Sequence, residues 1–337
     1  MKARMKTSLS VLDLAPVGSG GSAAESVRRT VELAQLAERL GYVRHWFAEH
    51  HGMPSVASAA PEVLIAHVAA NTRTLRVGSG GVMLPNHAPL RVAEAFRTLA
   101  ALHPGRIDLG LGRAPGSSDN ASKAMRAFSG DNFPAMLGEL LTWAGARRLP
   151  DGHPMAALHA MPGDAPLPPI WILGSGGSSA RMAATSGMGY AFASHFSPAP
   201  AAPVFAAYRE AFVASADFPR PHAILAVQAI CADTEPQAER LARALDLAMV
   251  QIRQGVFTVL PSPDEAAAHV FSAAEREIVR QSRPLAIVGT PGAVRRQIEA
   301  RAAECGADEV MIVCNLNGHA QRLRSYELIA QAFAGAA

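Results

Sequence analysis

Short apolar runs alternate with longer segments of helical periodicity along most of this chain. Each apolar run breaks at its carboxyl end into Gly, Ser, His, Glu, Arg or Pro, which is typical of strands that end in loops. Eight runs are predicted as strands: 7–14, 43–47, 75–85, 106–112, 170–173, 190–194, 223–232 and 309–314.

The segments between these runs repeat apolar residues at helical spacing, with Ser or Pro at several starts and Gly after several ends. They are predicted as helices: 22–41, 61–72, 89–102, 133–143, 178–186, 200–215, 235–254, 291–305 and 320–333. The stretch 255–284 fits no single element, and we interpret it as a lid or side insertion over the site.

The order of the elements predicts an α/β fold. Strands that alternate with helices form right-handed crossovers and a parallel sheet, and eight such units predict a closed (β/α)8 TIM barrel. The chain, 1–337, is interpreted as one domain, with insertions at about 114–168 after the fourth strand and about 255–289 after the seventh helix. In such a barrel the loops that follow the strands meet on one face, where the site is expected.

Composition and charge exclude several classes of protein. The chain is 49% hydrophobic and 18% charged, which predicts a large core and not a disordered chain. A net charge of +3 without any basic block gives no indication of nucleic-acid binding. Three scattered cysteines, Cys231, Cys305 and Cys314, are too few for a disulfide framework or a zinc cluster, which favours the reducing cytoplasm.

Neither a signal peptide nor a membrane span is expected. The first 16 residues are basic and then apolar, but Ser10 and Asp13 interrupt the apolar run, so we interpret this segment as the first strand. No apolar stretch approaches ~20 residues without charge.

A phosphate site is predicted where the fifth strand leads into a helix. The sequence LGSGGSS there contains Gly174, Ser175, Gly176, Gly177 and Ser178. Unpaired N–H groups and the positive end of the helix dipole attract anions, and glycine lets a phosphate approach. The alternative is a flexible turn without a ligand.

Arg113 strengthens the phosphate hypothesis, because it follows the fourth strand, the barrel neighbour of the fifth. Its guanidinium suits paired, charge-assisted contacts with a phosphate. The alternative is an Arg that simply lies at the surface.

Glycines interrupt the third strand in the sequence GSGG, which includes Ser79, Gly80 and Gly81. Such glycines mark either a plain bulge or the close approach of a ligand. A planar ring could lie against this strand.

Glu49, His50 and His51 follow the second strand. Their side chains alternate in direction if the strand persists, so His50 faces away from its neighbours and a shared metal ion is not expected. Imidazole suits proton transfer near neutral pH, so His50 is a catalytic candidate, and His195 after the sixth strand is a further one. Glu49 beside His50 is also a candidate. The alternative is that these histidines are structural.

Gly18, Gly20 and Ala23 approximate the G-x-G-x-x-A fingerprint of dinucleotide-binding folds. That fingerprint requires a tight turn directly after a strand, whereas Pro16 and further residues intervene here. We therefore interpret this segment as a mobile loop and not as a nicotinamide site.

The chain resembles the bacterial luciferase-like flavin-dependent monooxygenases at four motifs: Glu49–His51, Gly78–Pro85, Gly110–Arg113 and Leu173–Ser179. The resemblance implies that Arg113 holds the phosphate of FMN, that Gly80–Gly81 is a non-prolyl cis peptide, and that His50 occupies the catalytic position. It also implies reduced FMN and O2 as cosubstrates, a small organic substrate, a separate flavin reductase as partner, and a homodimer. Gly112 stands where the light-emitting luciferase has Cys, which argues against light emission and long-chain aldehyde use.

Two alternative functions remain at this stage. Related barrels use a deazaflavin for hydride transfer without oxygen, and a flavin-binding barrel without turnover would share the same motifs. The flavin that raises the melting temperature of the protein would separate the first alternative, because a ligand stabilises the state that binds it.

Overall fold

The computed structural model describes residues 7–334, and the predictions for residues 1–6 and 335–337 lie outside them. Within the described residues ten strands form one parallel sheet: β1 Ser8–Asp13, β2 Arg44–Phe47, β3 Arg76–Ser79, β4 Val82–Met83, β5 Ile107–Gly112, β6 Ile170–Gly174, β7 Gly189–Ala193, β8 Ala223–Cys231, β9 Ala286–Gly289 and β10 Glu309–Val313. Eight of these described strands close a barrel in the order β10, β1, β2, β3, β5, β6, β7, β8, because β8 also pairs with β10. The predicted (β/α)8 barrel is confirmed.

Helices connect the strands and surround the barrel. The α-helices of the described residues are α1 Ala23–Arg28, α2 Thr30–Leu40, α3 Pro61–Ala70, α4 Pro89–Leu102, α5 Asp119–Ala124, α6 Phe133–Trp143, α7 Gly177–Thr185, α8 Ala201–Glu210, α9 Glu235–Arg253, α10 Pro263–Ala268, α11 Ala273–Ser282, α12 Pro291–Cys305 and α13 His319–Ala334. The predicted first helix is divided in two at Arg29. In the described part of the chain no helix is long and apolar enough to cross a membrane.

Alternation along the strands separates two buried layers. Side chains that point into the barrel, such as Leu12, Trp46, Trp171 and Met311, form a compact inner core. Those that point outward pack against the helices in a much larger core. The face on which a strand residue lies therefore decides whether its side chain reaches the barrel interior.

An ionic network fills the inside of the barrel at the amino ends of the strands. Arg44 is 5% exposed and its guanidinium lies 2.7 Å from both Asp108 Oδ2 and Glu309 Oε1. Trp46 Nε1 donates to the same Asp108 oxygen at 3.0 Å, and Arg44 lies over the ring of Trp171. This end of the barrel is therefore sealed by paired charges, away from the loops that follow the strands.

The stretch 255–284 is more regular than the sequence suggested. It contains α10 and α11 and leads into β9, a strand that extends the sheet by pairing with the carboxyl half of β8. Ser262 and Ser272 each form a capping box with the Glu three residues later. Such boxes satisfy orphan N–H groups, which explains why two short helices form in a segment of weak periodicity.

Candidate active site

Arg113 and the start of α7 line one surface groove, as the sequence predicted. The groove has a volume of about 270 Å³, and Ser178, Leu173 and Asp131 also contribute to it. It lies at the carboxyl ends of β5 and β6, which are neighbours in the barrel. Residues from two separate motifs, 60 or more positions apart, thus come together because parallel strands end at the same face.

The first turn of α7 offers unpaired backbone donors to this groove. The N-cap residue Gly176 provides no side-chain cap, and the first N–H bonded within the helix region is that of Ala180, to Gly176 O at 3.3 Å. A Cβ at Gly176 or Gly177 would meet no atom within 4 Å, so the space outside the turn is open. An uncapped helix start with open space is suited to an anion.

Arg113 supplies the positive charge of the groove. Its side chain is exposed, and within the described residues its guanidinium has neither an ion pair nor a hydrogen bond. A guanidinium without an internal partner is free to bind an anionic ligand.

Gly174 has a different role from its neighbours, because a Cβ there would lie 2.1 Å from Ser179 Oγ and the position requires glycine for packing.

The glycine-rich carboxyl end of β3 packs closely against β5. The Gly80–Gly81 peptide is cis, as the resemblance implied. The Ser79 hydroxyl donates to Gly110 O at 2.8 Å and accepts from Gly110 N at 3.0 Å, so this side chain is engaged in the barrel. A Cβ at Gly112 would lie 2.6 Å from Met83 Sδ, so a larger residue there would require the Met83 side chain to move.

His50 and His195 come together at the mouth of the barrel. His50 Nδ1 lies 3.1 Å from Gly116 O, and since a carbonyl can only accept, Nδ1 carries the proton. Burial lowers the pKa of His50. Burial also lowers the pKa of His195 to about 4, and nearby His50 acts in the same direction. Both rings are therefore neutral near pH 7, and His50 Nε2 is an acceptor.

The alternation predicted for residues 49–51 required the strand to persist, but β2 ends at Phe47 and Glu49 lies two residues beyond it. Its fully buried carboxylate accepts from His51 Nε2 at 2.8 Å, from Asn86 Nδ2 at 2.9 Å and from Met83 N at 2.9 Å, and it also contacts His87 Nε2 at 3.0 Å. The charge and hydrogen bonds of His87 help to keep the pKa of Glu49 low against the effect of burial. Glu49 thus supports the end of β4 and the residues after it. Asn86 and His87 were not among the predicted site residues, and their only sequence signal is two polar residues directly after an apolar run.

The loop at Gly18 was predicted to be mobile, but hydrogen bonds hold it against two other parts of the chain. Ser19 N donates to Leu260 O at 2.9 Å, and Asn317 Nδ2 donates to the same Leu260 carbonyl at 2.9 Å. A Cβ at Gly18 would lie 2.4 Å from Asn317 Nδ2. This packing fills the place where a dinucleotide fingerprint would leave room for a pyrophosphate.

Comparison of the sequence with known families gives one consistent result. The family model for luciferase-like monooxygenases matches residues 7–309. A luciferase-like monooxygenase of Escherichia coli (strain K12) is 44% identical over 322 residues, which cover 95% of each chain. The N-acetyl-S-alkylcysteine monooxygenase of Bacillus subtilis (strain 168) is 33% identical over 333 residues, covering 96% of this chain and 97% of the relative.

Comparison with solved structures gives the same result. The crystal structure of apo-MsnO8 is 39% identical, covers 97% of this chain and 98% of its own, and superposes with a TM-score of 0.86. The oxygenating constituent of 3,6-diketocamphane monooxygenase from Pseudomonas putida, solved with FMN, has 20% identity, a TM-score of 0.71 and coverage of 98% and 99%. An F420-dependent secondary alcohol dehydrogenase has 15% identity, a TM-score of 0.65 and the same coverage. The last two likenesses show the shared fold.

Proposed function

Because this chain belongs to the luciferase-like monooxygenase family, we propose that it uses reduced FMN and O2 to oxygenate a small organic substrate. We further propose that a separate flavin reductase supplies the reduced FMN. The predicted cytoplasmic location and the predicted homodimer stay predictions.

The groove between Arg113 and α7 is the observation that carries the proposal. It combines an unpaired guanidinium with the uncapped N–H groups of Gly177 and Ser178, which is the donor set that a phosphate monoester requires. The groove adjoins the β3–β5 side of the barrel mouth, where glycines bring the backbone close to any bound ring. The residues therefore fit FMN, whose phosphate and ring would occupy these two places.

When bound, reduced FMN supplies the electrons that activate oxygen. The chain's own contribution is to hold the cofactor and to manage protons at the mouth of the barrel. His50 keeps one proton at Nδ1 by donating to Gly116 O, so its Nε2 can take up a proton from a reacting group and return it. His195 is neutral beside it and adds no competing charge.

A cofactor reduced elsewhere agrees with the packing at the amino-terminal loop. The near match to a nicotinamide fingerprint is filled by Asn317 and paired with Leu260. The helix that follows it, α1, has six residues and an acidic first turn at Glu25, which disfavours a pyrophosphate.

We expect the protein alone, mixed with FMN and NADH or NADPH in air, to oxidise little nicotinamide. Addition of an unrelated flavin reductase should start FMN-dependent oxygen consumption that exceeds the reductase-only control. An oxygen electrode and absorbance at the nicotinamide band would measure both rates. Rapid nicotinamide oxidation without the reductase would contradict the two-component proposal.

The choice of cofactor can be tested on the same preparation. FMN should raise the melting temperature at concentrations where riboflavin and a deazaflavin do not, since only ligands that bind the native state stabilise it. Stabilisation by the deazaflavin alone would instead favour hydride transfer. Tight FMN binding without oxygen uptake across a broad substrate panel would favour a binding protein without turnover.

Replacement of His50 by alanine is expected to leave FMN affinity within about twofold of wild type, because the ring does not contact the phosphate groove. It should lower the ratio of oxygenated product to hydrogen peroxide by roughly 100-fold, the lower range of effects for a lost general acid or base. The ratio can be measured with any substrate from the panel that is turned over. His67→Ala, a change of an exposed His on α3, is the matched control.

Wild-type coupling in His50→Ala would show that His50 does not handle the proton. The assignment would then move to His195, the other imidazole at the mouth.

A further inference from the structure

The mouth of the barrel has two unlike sides. On the side of β3 and β5 the inward positions Gly80 and Gly112 carry no side chain. On the side of β7, β8 and β10 they carry His195, Gln228 and Asn315, which we call the polar wall. The groove for the phosphate lies at β5 and β6, so the polar wall faces the cofactor side across the mouth.

The register of β8 with β10 and the turn after β7 bring the three residues of the polar wall close together. Ile224 and Ala226 belong to the inner core, so Gln228, which continues the same alternation, also faces inward. Gln228 pairs with Val313, and Asn315 lies two residues beyond that inward position. On the other side β7 ends at Ala193, which pairs with Ala226, and a turn follows. The ring of His195, in that turn, is hydrogen-bonded to the backbone of Ala226, two residues before Gln228.

Each residue of the polar wall has a buried polar atom without a partner. Gln228 is 6% exposed, and its Nε2 makes no hydrogen bond within the described residues. His195 Nδ1 and Asn315 Oδ1 are likewise buried and unpaired there. A buried polar atom without a partner destabilises the fold, so three of them in one arc indicate groups kept for a ligand.

The polar wall contains donors and acceptors but no fixed charge. None of its members is Lys or Arg, and burial holds the pKa of His195 at about 4, so its ring is neutral near pH 7. A carboxylate or sulfonate placed against this wall would be an uncompensated buried charge. A neutral group that both accepts and donates would instead satisfy Gln228 and Asn315 together.

We propose that the polar wall of His195, Gln228 and Asn315 recognises an uncharged carboxamide-type group of the organic substrate and holds it opposite the cofactor, an inference that rests on the proposed function. Gln228 is the central contact, because it lies between the other two residues. A group with only a hydrophobic surface would leave the three unpaired atoms as they are. Substrates with an anionic group at the same position would bind less tightly.

The test uses matched pairs of probes on the full-length protein. Benzamide, phenylacetamide, cyclohexanecarboxamide and hexanamide are compared with their four carboxylic acids at pH 7, by calorimetry and thermal shift, with and without FMN. At least one amide should bind more tightly than its acid. The Gln228→Met variant should reduce that amide's affinity roughly threefold to tenfold, the effect of one hydrogen bond.

The same variant has a second, independent readout. Removal of an unpaired buried amide should raise the melting temperature of the ligand-free protein by roughly 1–4 °C, because the cost of burying it disappears. Gln237→Met, at an exposed position at the start of α9, should change neither quantity. A variant that binds amides less well while it is more stable shows that the effect is not a loss of folding.

The amide measurements would overturn the proposal if no amide binds, if the acids bind more tightly, or if Gln228→Met leaves amide affinity unchanged. Loss of FMN affinity in place of amide affinity would also overturn it, because the polar wall would then contact the cofactor. If the protein binds no FMN but binds amides in a Gln228-dependent way, the proposed function is wrong, whereas recognition of amides by the polar wall is supported.

Discussion

The Arg44→Met variant is expected to unfold with a free energy about 3–5 kcal/mol lower than that of the wild type, as is typical when one partner of a buried ion pair is removed. Arg44 pairs with both Asp108 and Glu309 inside the barrel. Without the guanidinium, less positive charge would remain at the amino end of the barrel to balance the two buried carboxylates. Urea denaturation followed by circular dichroism would measure the difference.

The difference in unfolding free energy between the wild type and Arg44→Met should depend on pH. Burial by itself would raise the pKa of Glu309, but Arg44 and the hydrogen bonds of His222 and Ser10 bring it to about 2. A carboxyl with a lowered pKa stabilises the fold above its usual pKa and loses that contribution as pH falls towards the lowered value. The gap between wild type and Arg44→Met should therefore be largest above pH 5 and narrow as the pH falls from about 4.5.

Arg91→Met is the matched control for this experiment. Arg91 forms an exposed pair with Glu94 at 3.3 Å, and exposed pairs contribute about 0–1 kcal/mol. An Arg44→Met loss as small as that of the control would show that the network does not stabilise the barrel.

The Arg113→Ala variant is expected to bind FMN roughly 10- to 150-fold less tightly, which corresponds to about 1.5–3 kcal/mol for a charged hydrogen bond. Riboflavin lacks the phosphate, so its affinity should change by less than about twofold. Quenching of flavin fluorescence would measure both ligands. The reason is the unpaired guanidinium at the groove, which has no other function in the described structure.

Arg181→Ala provides the control, because Arg181 is an exposed residue one turn further along α7. Its removal changes the net charge equally but leaves the groove intact. Equal losses for FMN and riboflavin in Arg113→Ala, or an equal loss of FMN affinity in Arg181→Ala, would contradict the assignment of the phosphate to this groove.

Much of the fold follows from local pattern. The helix predicted at 133–143 is α6 with the same bounds, because its apolar positions and its early Pro specify it locally. The meeting of Arg113 with α7 was also predictable, since parallel strands of a barrel end at one face. These features need no knowledge of distant partners.

Other features depend on contacts that the local pattern does not contain. Strand β9 forms because β8 continues beyond the barrel and offers it a partner, 55 or more residues away in sequence. The sequence SAAE occurs at Ser22 and again at Ser272, and the second occurrence could have located α11. At Ser22 only half of the capping interaction forms, because Glu25 pairs with Arg29.

The candidate site also depends on contacts that the local sequence pattern does not contain. The predicted alternation does not reach Glu49 and His50 because β2 ends at Phe47, and the role of Glu49 as an anchor depends on Met83 N, Asn86 and His87. Gln228 has a weaker signal, a single polar residue within the apolar run of β8. Its importance emerges only when its neighbours on β7 and β10 are known.

The pairing of β1 with β10 has a consequence for the protein during its synthesis. Ser8 pairs with Glu309, so β1 is synthesised about 300 residues before its partner β10, and the barrel cannot close until β10 is made. Until then β1 and β8 are open sheet edges with unpaired N–H and C=O groups, the surfaces through which chains aggregate. Nascent chains that end before residue 309 should therefore depend on chaperones far more than chains that extend past residue 313.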